Sequence, residues 1–226
     1  MITLGDFRFP EAATECQVSV IEAKSKVRKE IQIRSLLRAD SRWDLDFALA
    51  ALRHAVEAFD KQEAALSLHP GRYYHGRRRE FHETPVPAGL AAWIELLVLT
   101  LDRYERGATL YAHESTAAFG QGRFSLFHRG NWLAPLFITL EPEAPLTQLQ
   151  FLTADDFLTL EETLPAGQVI TADSEKRELL VQGRNRYSIA HGRFPFLRPG
   201  INTLTVRFQP QSAKVRCVIR YRDFWV

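Results

Sequence analysis

Hydrophobic and polar residues alternate with period two through most of this chain, which is the pattern of half-buried β-strands. The alternation is clearest in two late segments, 200–208 and 214–222. The apolar positions on one face of each are Leu204, Val206 and Phe208, and then Val215, Cys217, Ile219 and Tyr221. We predict that the two segments are antiparallel strands with one face exposed to solvent. Because such a pair is marginally stable alone, it must belong to a larger sheet.

A different period marks one segment of the first half. Between residues 43 and 60 the apolar residues recur at steps of three and four, as one face of a helix requires. They are Leu45, Leu49, Leu52, Val56 and Phe59. Asp40 or Ser41 can cap the first turn. We predict one helix here and short strands over residues 1–38.

The middle of the chain is less regular. Residues 69–89 are dense in Pro, Gly and charge, which predicts a turn-rich excursion with a projecting hairpin around Gly76. The segment 90–101 fits a strand or a helix, and its β-rich surroundings favour a strand. The polar stretch at 107–122 has no sustained period and is interpreted as the domain boundary.

The second half indicates an antiparallel sandwich, because about eight short strands alternate with turns. The predicted strands are 133–140, 146–152, 156–160, 169–172, 178–181, 186–189 and the closing pair. Turn signals lie at Glu141-Pro142, Pro165-Ala166-Gly167, 182–185 and 198–200. The expected fold class is mainly β with one helix (α+β). The domains are 1–110, a linker at 111–124, and 125–226.

Net charge, cysteine spacing and the lack of long apolar runs argue against several classes of protein. The 226 residues carry a formal charge of only +2, which does not indicate a general nucleic-acid or anionic-membrane binder. Cys16 and Cys217 have no zinc-like spacing, and we interpret both as thiols of a reducing compartment. The opening MITLGDFRFP lacks a signal-peptide pattern, and Glu95 interrupts the longest apolar run. We expect a soluble protein made in the cytoplasm.

The sharpest basic cluster is Arg77-Arg78-Arg79, which follows Tyr73 and Tyr74. Arginine beside aromatic residues can serve single-stranded nucleic acid. One triplet neutralises too few phosphates for tight binding, however, so a solvated hairpin tip or a subunit contact is the better interpretation. These five residues are the candidate subunit interface.

Other polar groups give weak signals for chemistry. His69, His75 and His82, with Glu80 and Glu83, could be drawn as metal ligands, but their spacing is nonspecific. The pairs Asp155-Asp156 and Glu161-Glu162 lack a facing partner, since neighbours in a strand point to opposite faces. Gly120-Gln121-Gly122 is too short to cradle phosphate. We expect no enzyme activity, no catalytic residue, no metal and no cofactor.

Three segments of the second half carry a family resemblance. They are the Gly-led strand from Gly167 to Asp173, the L-x-P-G-x-N-x-L run from Leu197 to Leu204, and the R-x-x-W ending from Arg222 to Trp225. In this order they resemble the C-terminal domain of distal tail proteins of long-tailed (siphovirus-type) bacteriophages. The first half resembles that family's ring-forming domain more loosely, since Leu4-Gly5-Asp6-Phe7 replaces its usual opening.

The resemblance implies an N-terminal domain that forms a six-membered ring and an outward, galectin-like β-sandwich. The partners it implies are other copies of the chain, the tail tube protein, and the tail-tip hub or baseplate and receptor-binding proteins. It places the protein in the virion tail, and in the host cytoplasm during assembly. We expect no membrane partner and no specific nucleic acid, although the resemblance allows DNA to pass through the ring lumen.

Galectin-type sugar binding is not carried over, because His191-Gly192-Arg193 is not the required His, Asn, Arg and Trp cluster. The alternative is a carbohydrate-binding β-sandwich module of a bacterial protein.

Overall fold

The chain forms two compact units in a computed structural model that describes residues 1–23, 26–87, 89–101 and 104–226. Unit 1 comprises Met1–Ala108 with Val226, and unit 2 comprises Thr109–Trp225. Most of the structure is antiparallel β-sheet with one α-helix, so the predicted fold class is confirmed. Among the described residues, no helix is long and apolar enough to cross a membrane.

Unit 1 pairs a four-stranded sheet with the helix. Its elements are β1 Thr3–Leu4, β2 Phe7–Arg8, β3 Thr14–Ala23, β4 Lys26–Arg38, α1 Arg42–Asp60, β5 Leu66–Ser67, β6 Arg72–Tyr73, β7 Gly76–Pro85, β8 Ala91–Thr100 and β9 Glu105–Gly107. The four-stranded sheet has the order β3-β4-β8-β7, and every pair in it is antiparallel. Strands β1, β2 and β5 form a small sheet beside it, and β6 pairs with β9.

The predicted helix is confirmed as α1. Ser41 is its N-cap, and the Ser41 hydroxyl accepts a hydrogen bond from the Asp44 N–H at 3.1 Å. The predicted apolar stripe of Leu45, Leu49, Leu52, Val56 and Phe59 is buried. It packs into one core with residues of β4 and β8, including Ile31, Ile33, Ile94, Leu96 and Val98.

Two predictions for unit 1 are wrong in detail. Residues 14–38 form two long strands in place of several short ones, with Lys24 and Ser25 outside the described residues. The projecting hairpin around Gly76 does not exist: Gly76 begins the ten-residue strand β7, which pairs with β8. Edge strands tolerate charge, so the charged composition suggested a loop where a sheet edge lies. The favoured strand at 90–101 is confirmed as β8.

Unit 2 is a sandwich of two antiparallel sheets. Its strands are β10 Tyr111–Ala117, β11 Gln121–His128, β12 Ala134–Pro142, β13 Gln148–Leu152, β14 Phe157–Leu160, β15 Ile170–Asp173, β16 Glu178–Val181, β17 Arg184–Asn185, β18 His191–Gly192, β19 Phe196–Leu197, β20 Gly200–Gln209, β21 Val215–Tyr221 and β22 Phe224–Trp225. One sheet has the order β10-β21-β12-β15-β16-β17, with β19 also pairing with β12. The other has the order β11-β20-β13-β14-β18.

The two late strands with the clearest alternation do not pair with each other. β20 lies between β11 and β13, whereas β21 lies between β10 and β12 in the opposite sheet. The predicted faces are right, because the apolar positions of both strands are buried. The predicted pairing is wrong, since alternation specifies which face is buried but not which strand lies alongside.

The predicted linker at 111–124 is also wrong, because β10 and the start of β11 occupy it. Phe119 and Gly120, both with positive φ, form the tight turn between these strands, which then run in opposite sheets.

The predicted strand at 186–189 is a 3-10 turn at Tyr187–Ile189. Its place is taken by β17, which follows a turn of Gln182 and Gly183. The predicted turn at Glu141-Pro142 lies within β12.

Candidate subunit interface

The four-stranded sheet of unit 1 buries one face and exposes the other. Along β8, alternate residues from Ala92 to Thr100 are buried in the core that includes α1. The residues between them point away from this core, on what we call the outer face. Trp93 lies there with 49% of its surface exposed. A single exposed aromatic side chain is common on monomers, so Trp93 alone does not assign a role to this face.

A row of charged side chains crosses the outer face from edge to edge. Glu15 on β3 is paired with Arg34 on β4, Arg34 with Glu95 on β8, and Glu95 with His82 on β7. The guanidinium of Arg34 lies 3.2 Å from the Glu95 carboxylate. Paired residues of an antiparallel sheet share a face, so the row presents acid, base, acid and histidine in turn.

The β3 edge exposes apolar side chains. Val18 and Val20 are 44% and 63% exposed, and Cys16 on the same side is also exposed. Their register partners on β4 include the buried Ile31 and Ile33, so these side chains point to the core side of the sheet. Exposed valines on a long edge strand favour addition of another strand.

The three predicted interface arginines lie on β7, and two of them bind carboxylates of their own chain. Arg78 contacts Asp60 at the end of α1, with its guanidinium at 3.0 Å and its backbone N–H at 2.8 Å. The Arg79 guanidinium donates to Glu30 on β4 at 2.7 Å. Arg77 is exposed, and no hydrogen bond or ion pair of its side chain occurs in the described part of the chain. Of the triplet, Arg77 is therefore the residue left available to a neighbour.

The two predicted tyrosines have different places. Tyr73 on β6 is partly exposed, and its ring packs edge-on against His75. Tyr74 is 3% exposed, and its hydroxyl accepts a hydrogen bond from the Lys29 ammonium at 2.9 Å. Burial raises the pKa of Tyr74 and lowers the pKa of Lys29. Tyr74 is a core residue of unit 1, and its burial leaves it little surface for contact with a neighbouring subunit.

The histidines and glutamates that could be drawn as metal ligands from the sequence contact different partners in the structure. His69 pairs with the buried Glu105 at 2.7 Å, while His82 lies 3.8 Å from Glu80. Glu83 holds Arg53 of α1 through two hydrogen bonds of 2.8 and 2.5 Å. Within the described residues, no group of three or more His, Cys, Asp or Glu side chains could hold a metal ion.

Unit 2 contains a buried polar cluster that the sequence did not indicate. The ring nitrogens of His128 lie 2.8 Å from the Asp223 carboxylate and 2.5 Å from the Trp132 carbonyl. Asp223 also accepts hydrogen bonds from the Arg129 N–H at 2.8 Å and the Tyr111 hydroxyl at 3.0 Å. Burial and the bond to Asp223 both raise the pKa of Tyr111. Both ring nitrogens of His128 therefore have a hydrogen-bond partner. Through Tyr111, His128 and Asp223 the cluster connects β10 and β11 to the residue that precedes β22.

Comparison with known proteins identifies this sandwich. Residues 129–225 match the family model described as "Siphovirus-type tail component, C-terminal domain". These residues are similar to a siphovirus-type tail component domain. The three segments that begin at Gly167, Leu197 and Arg222 predicted a resemblance to distal tail proteins. This resemblance is confirmed. The matched residues make up most of unit 2.

A solved structure matches beyond the tail component domain. The crystal structure of SPP1 Dit, described as a paradigm of the hub adsorption apparatus in phages that infect Gram-positive bacteria, superposes with a TM-score of 0.60. The match covers 100% of this chain and 92% of that one, at 12% sequence identity. At this identity the likeness shows a shared fold, and it extends to unit 1. No curated protein sequence matched the chain.

Proposed function

We propose that this chain is the subunit of a homohexameric ring at the tip of a phage tail, where it joins the tail tube to the baseplate or host-recognition apparatus. The number six comes from the family resemblance. The observation that carries the proposal is the sheet of unit 1, which has an exposed outer face and two edges open to a neighbour. Head-to-tail contacts between identical subunits close into a ring when the rotation between them permits.

The proposed role is structural and not enzymatic. One carboxylate of each pair that could suggest hydrolysis is engaged with a basic side chain, since Asp155 binds Arg198 at 2.6 Å and Glu162 binds Arg186 at 3.1 Å. A carboxylate held in an ion pair is a poor general acid. These contacts support a role in which the carboxylates stabilise unit 2.

Unit 2 is proposed to bind other virion proteins. Phe127 on β11 and Ile201 on β20 are cross-strand neighbours, and they are 53% and 81% exposed. Adjacent exposed apolar side chains on a sheet face suit a protein partner. A free carbohydrate-binding module would leave the likeness of unit 1 to a tail protein unexplained, which is why the ring is preferred.

Light scattering of the purified chain at micromolar concentration tests the proposal. The expected mass is six times the 25.9 kDa subunit. Raising the salt concentration provides a control, because a ring held partly by backbone pairing should persist where a purely ionic association dissociates. A mass of one subunit across the concentration range would contradict the ring.

A further inference from the structure

The sheet β11-β20-β13-β14-β18 of unit 2 turns one face to the core and the other to solvent. On β20 the buried residues Leu204, Val206 and Phe208 alternate with residues that point away from the core. On this solvent side the register places one residue from each of the five strands in a continuous line, which we call the cross-sheet row. Its members, in order across the sheet, are Gln121, Arg207, Gln150, Thr159 and His191. Because neighbouring strands lie about 4.8 Å apart, the row spans about 19 Å.

Every side chain of the cross-sheet row carries a hydrogen-bonding group. The Gln150 amide nitrogen donates to the Thr159 hydroxyl at 2.9 Å, so the Gln150 amide oxygen is left as an acceptor. Gln121, Arg207 and His191 are exposed. Amide and hydroxyl groups both donate and accept hydrogen bonds, as the hydroxyl groups of a sugar do. The row therefore suits a ligand that carries several hydroxyl groups.

Two arginines on this face lie close together without a carboxylate. Arg123 on β11 and Arg207 on β20 are diagonal neighbours, since the register partner of Arg207 is Gln121. Diagonal neighbours are about 7–8 Å apart, within reach of long side chains. Both arginines are exposed, and neither has a side-chain hydrogen bond or ion pair with residues 1–23, 26–87, 89–101 or 104–226. Like charges at such positions repel each other, so an anion from outside the chain would stabilise the pair.

Other arginines near this face have a carboxylate within the chain. Arg193 lies 3.8 Å from Asp156, and Arg198 lies 2.6 Å from Asp155. Both carboxylates belong to the turn between β13 and β14. Because the described part of unit 2 provides no such partner for the diagonal pair on β11 and β20, that pair points to an anionic ligand.

An aromatic ring lies beside the cross-sheet row. Phe157 on β14 is two residues from Thr159, so both side chains point to the same side of the sheet, and Phe157 is 51% exposed. Gly192 on β18 makes room for this ring, because a Cβ atom there would lie 2.8 Å from a ring carbon of Phe157. An exposed ring next to hydrogen-bonding groups suits a sugar ring, which has apolar C–H faces and polar hydroxyl groups.

We propose that the solvent side of this sheet binds an anionic saccharide, with the carboxylate or phosphate of the ligand on Arg123 and Arg207. Its hydroxyl groups bond to Gln150 and His191, and a sugar ring stacks on Phe157. An acidic peptide would engage the arginines but leave the ring and the rest of the row unused, so a saccharide is favoured. The inference concerns unit 2 alone and goes beyond the proposed ring, since a single subunit presents the same face.

Isothermal titration calorimetry of the full chain tests the proposal with four probes. Tetragalacturonate supplies carboxylates and pentamannose 6-phosphate supplies a phosphate, whereas maltotetraose is uncharged and tetra-L-glutamate is an acidic peptide. We expect tetragalacturonate or pentamannose 6-phosphate to bind, and the tighter of the two identifies the anionic group. Maltotetraose and tetra-L-glutamate should bind at least about tenfold more weakly.

Two double variants separate a built site from attraction by charge alone. Arg123→Gln with Arg207→Gln should weaken binding of the anionic saccharide at least about tenfold. Arg184→Gln with Arg220→Gln is the matched control, because it removes the same charge from exposed positions on β17 and β21 of the opposite sheet, and it should leave binding unchanged. Phe157→Ala should weaken binding about threefold without changing the net charge.

Three results would overturn the proposal. Equal losses from the two double variants would indicate attraction by net charge alone. Tetra-L-glutamate that binds as tightly as the anionic saccharides would indicate an acidic protein segment as the partner. A lack of binding by both anionic saccharides would exclude the site whatever the oligomeric state. A chain that is a monomer by light scattering and still binds the saccharide through Arg123 and Arg207 would contradict the ring and support this inference.

Discussion

Replacement of Asp223 by alanine should destabilise unit 2 strongly. The Asp223 carboxylate is 3% exposed and accepts hydrogen bonds from His128, Arg129 and Tyr111. Its removal leaves the buried donors without an acceptor, and each such donor costs about 1–3 kcal/mol. Since Tyr111 is partly exposed and can bond to water, the expected loss in the free energy of unfolding is about 3–5 kcal/mol.

Urea unfolding followed by circular dichroism would measure this loss. Asp155→Ala is the matched control, because it removes a carboxylate from a 2.6 Å ion pair with Arg198 in which both side chains are about half exposed or more. Such pairs contribute less than about 1 kcal/mol. Asp223→Asn should lie between the two, since the amide keeps one acceptor oxygen. If Asp223→Ala were no more destabilising than the control, the reasoning about the cluster would be refuted.

Other consequences can be checked with fragments and single substitutions. A fragment that starts at Thr109 should give a β-type circular dichroism spectrum, whereas one that starts at Ser125 should be unfolded, since it lacks β10 and half of β11; two equally folded fragments would contradict this. Gly76→Ala should cost about 1–3 kcal/mol in urea unfolding, because its Cβ would lie 2.7 Å from the Leu99 carbonyl oxygen, and no loss would refute it. Cys217 should react with a maleimide only after unfolding, because burial raises its pKa to about 12 and leaves little thiolate. Labelling of Cys217 in the folded chain would contradict that burial.

Periodicity predicted the parts of the fold that depend on one strong local pattern. The stripe from Leu45 to Phe59 predicted α1, and the alternation around Leu204 and Val215 predicted the buried faces of β20 and β21. Neither pattern contains information about pairing partners, because any strand with the right face fits. The placement of β20 and β21 in opposite sheets was therefore beyond the sequence.

Polar strands were the main source of error. β10, with His, Glu, Ser and Thr at successive positions, was interpreted as a linker, yet it pairs with β21 along its whole length. Strand propensity depends on context, and here the neighbouring strand decides. β7 was interpreted as a loop for the same reason.

The candidate site was predicted only in part. The sequence drew attention to Arg77, and the structure leaves that side chain available. It did not indicate that Arg78 and Arg79 bind Asp60 and Glu30, because those carboxylates are 18 and 49 residues away in sequence. Replacing all three arginines with Glu would therefore disturb the fold of each subunit as well as any ring, because it would remove the ion pairs of Arg78 and Arg79. The His128 and Asp223 pair, 95 residues apart, was missed for the same reason.

Negative-stain electron microscopy of the purified chain tests the central claim most directly. Class averages viewed along the axis should show closed rings with six-fold symmetry, as the resemblance implies. Fields of particles of single-subunit size, at concentrations where the chain is folded, would contradict the account.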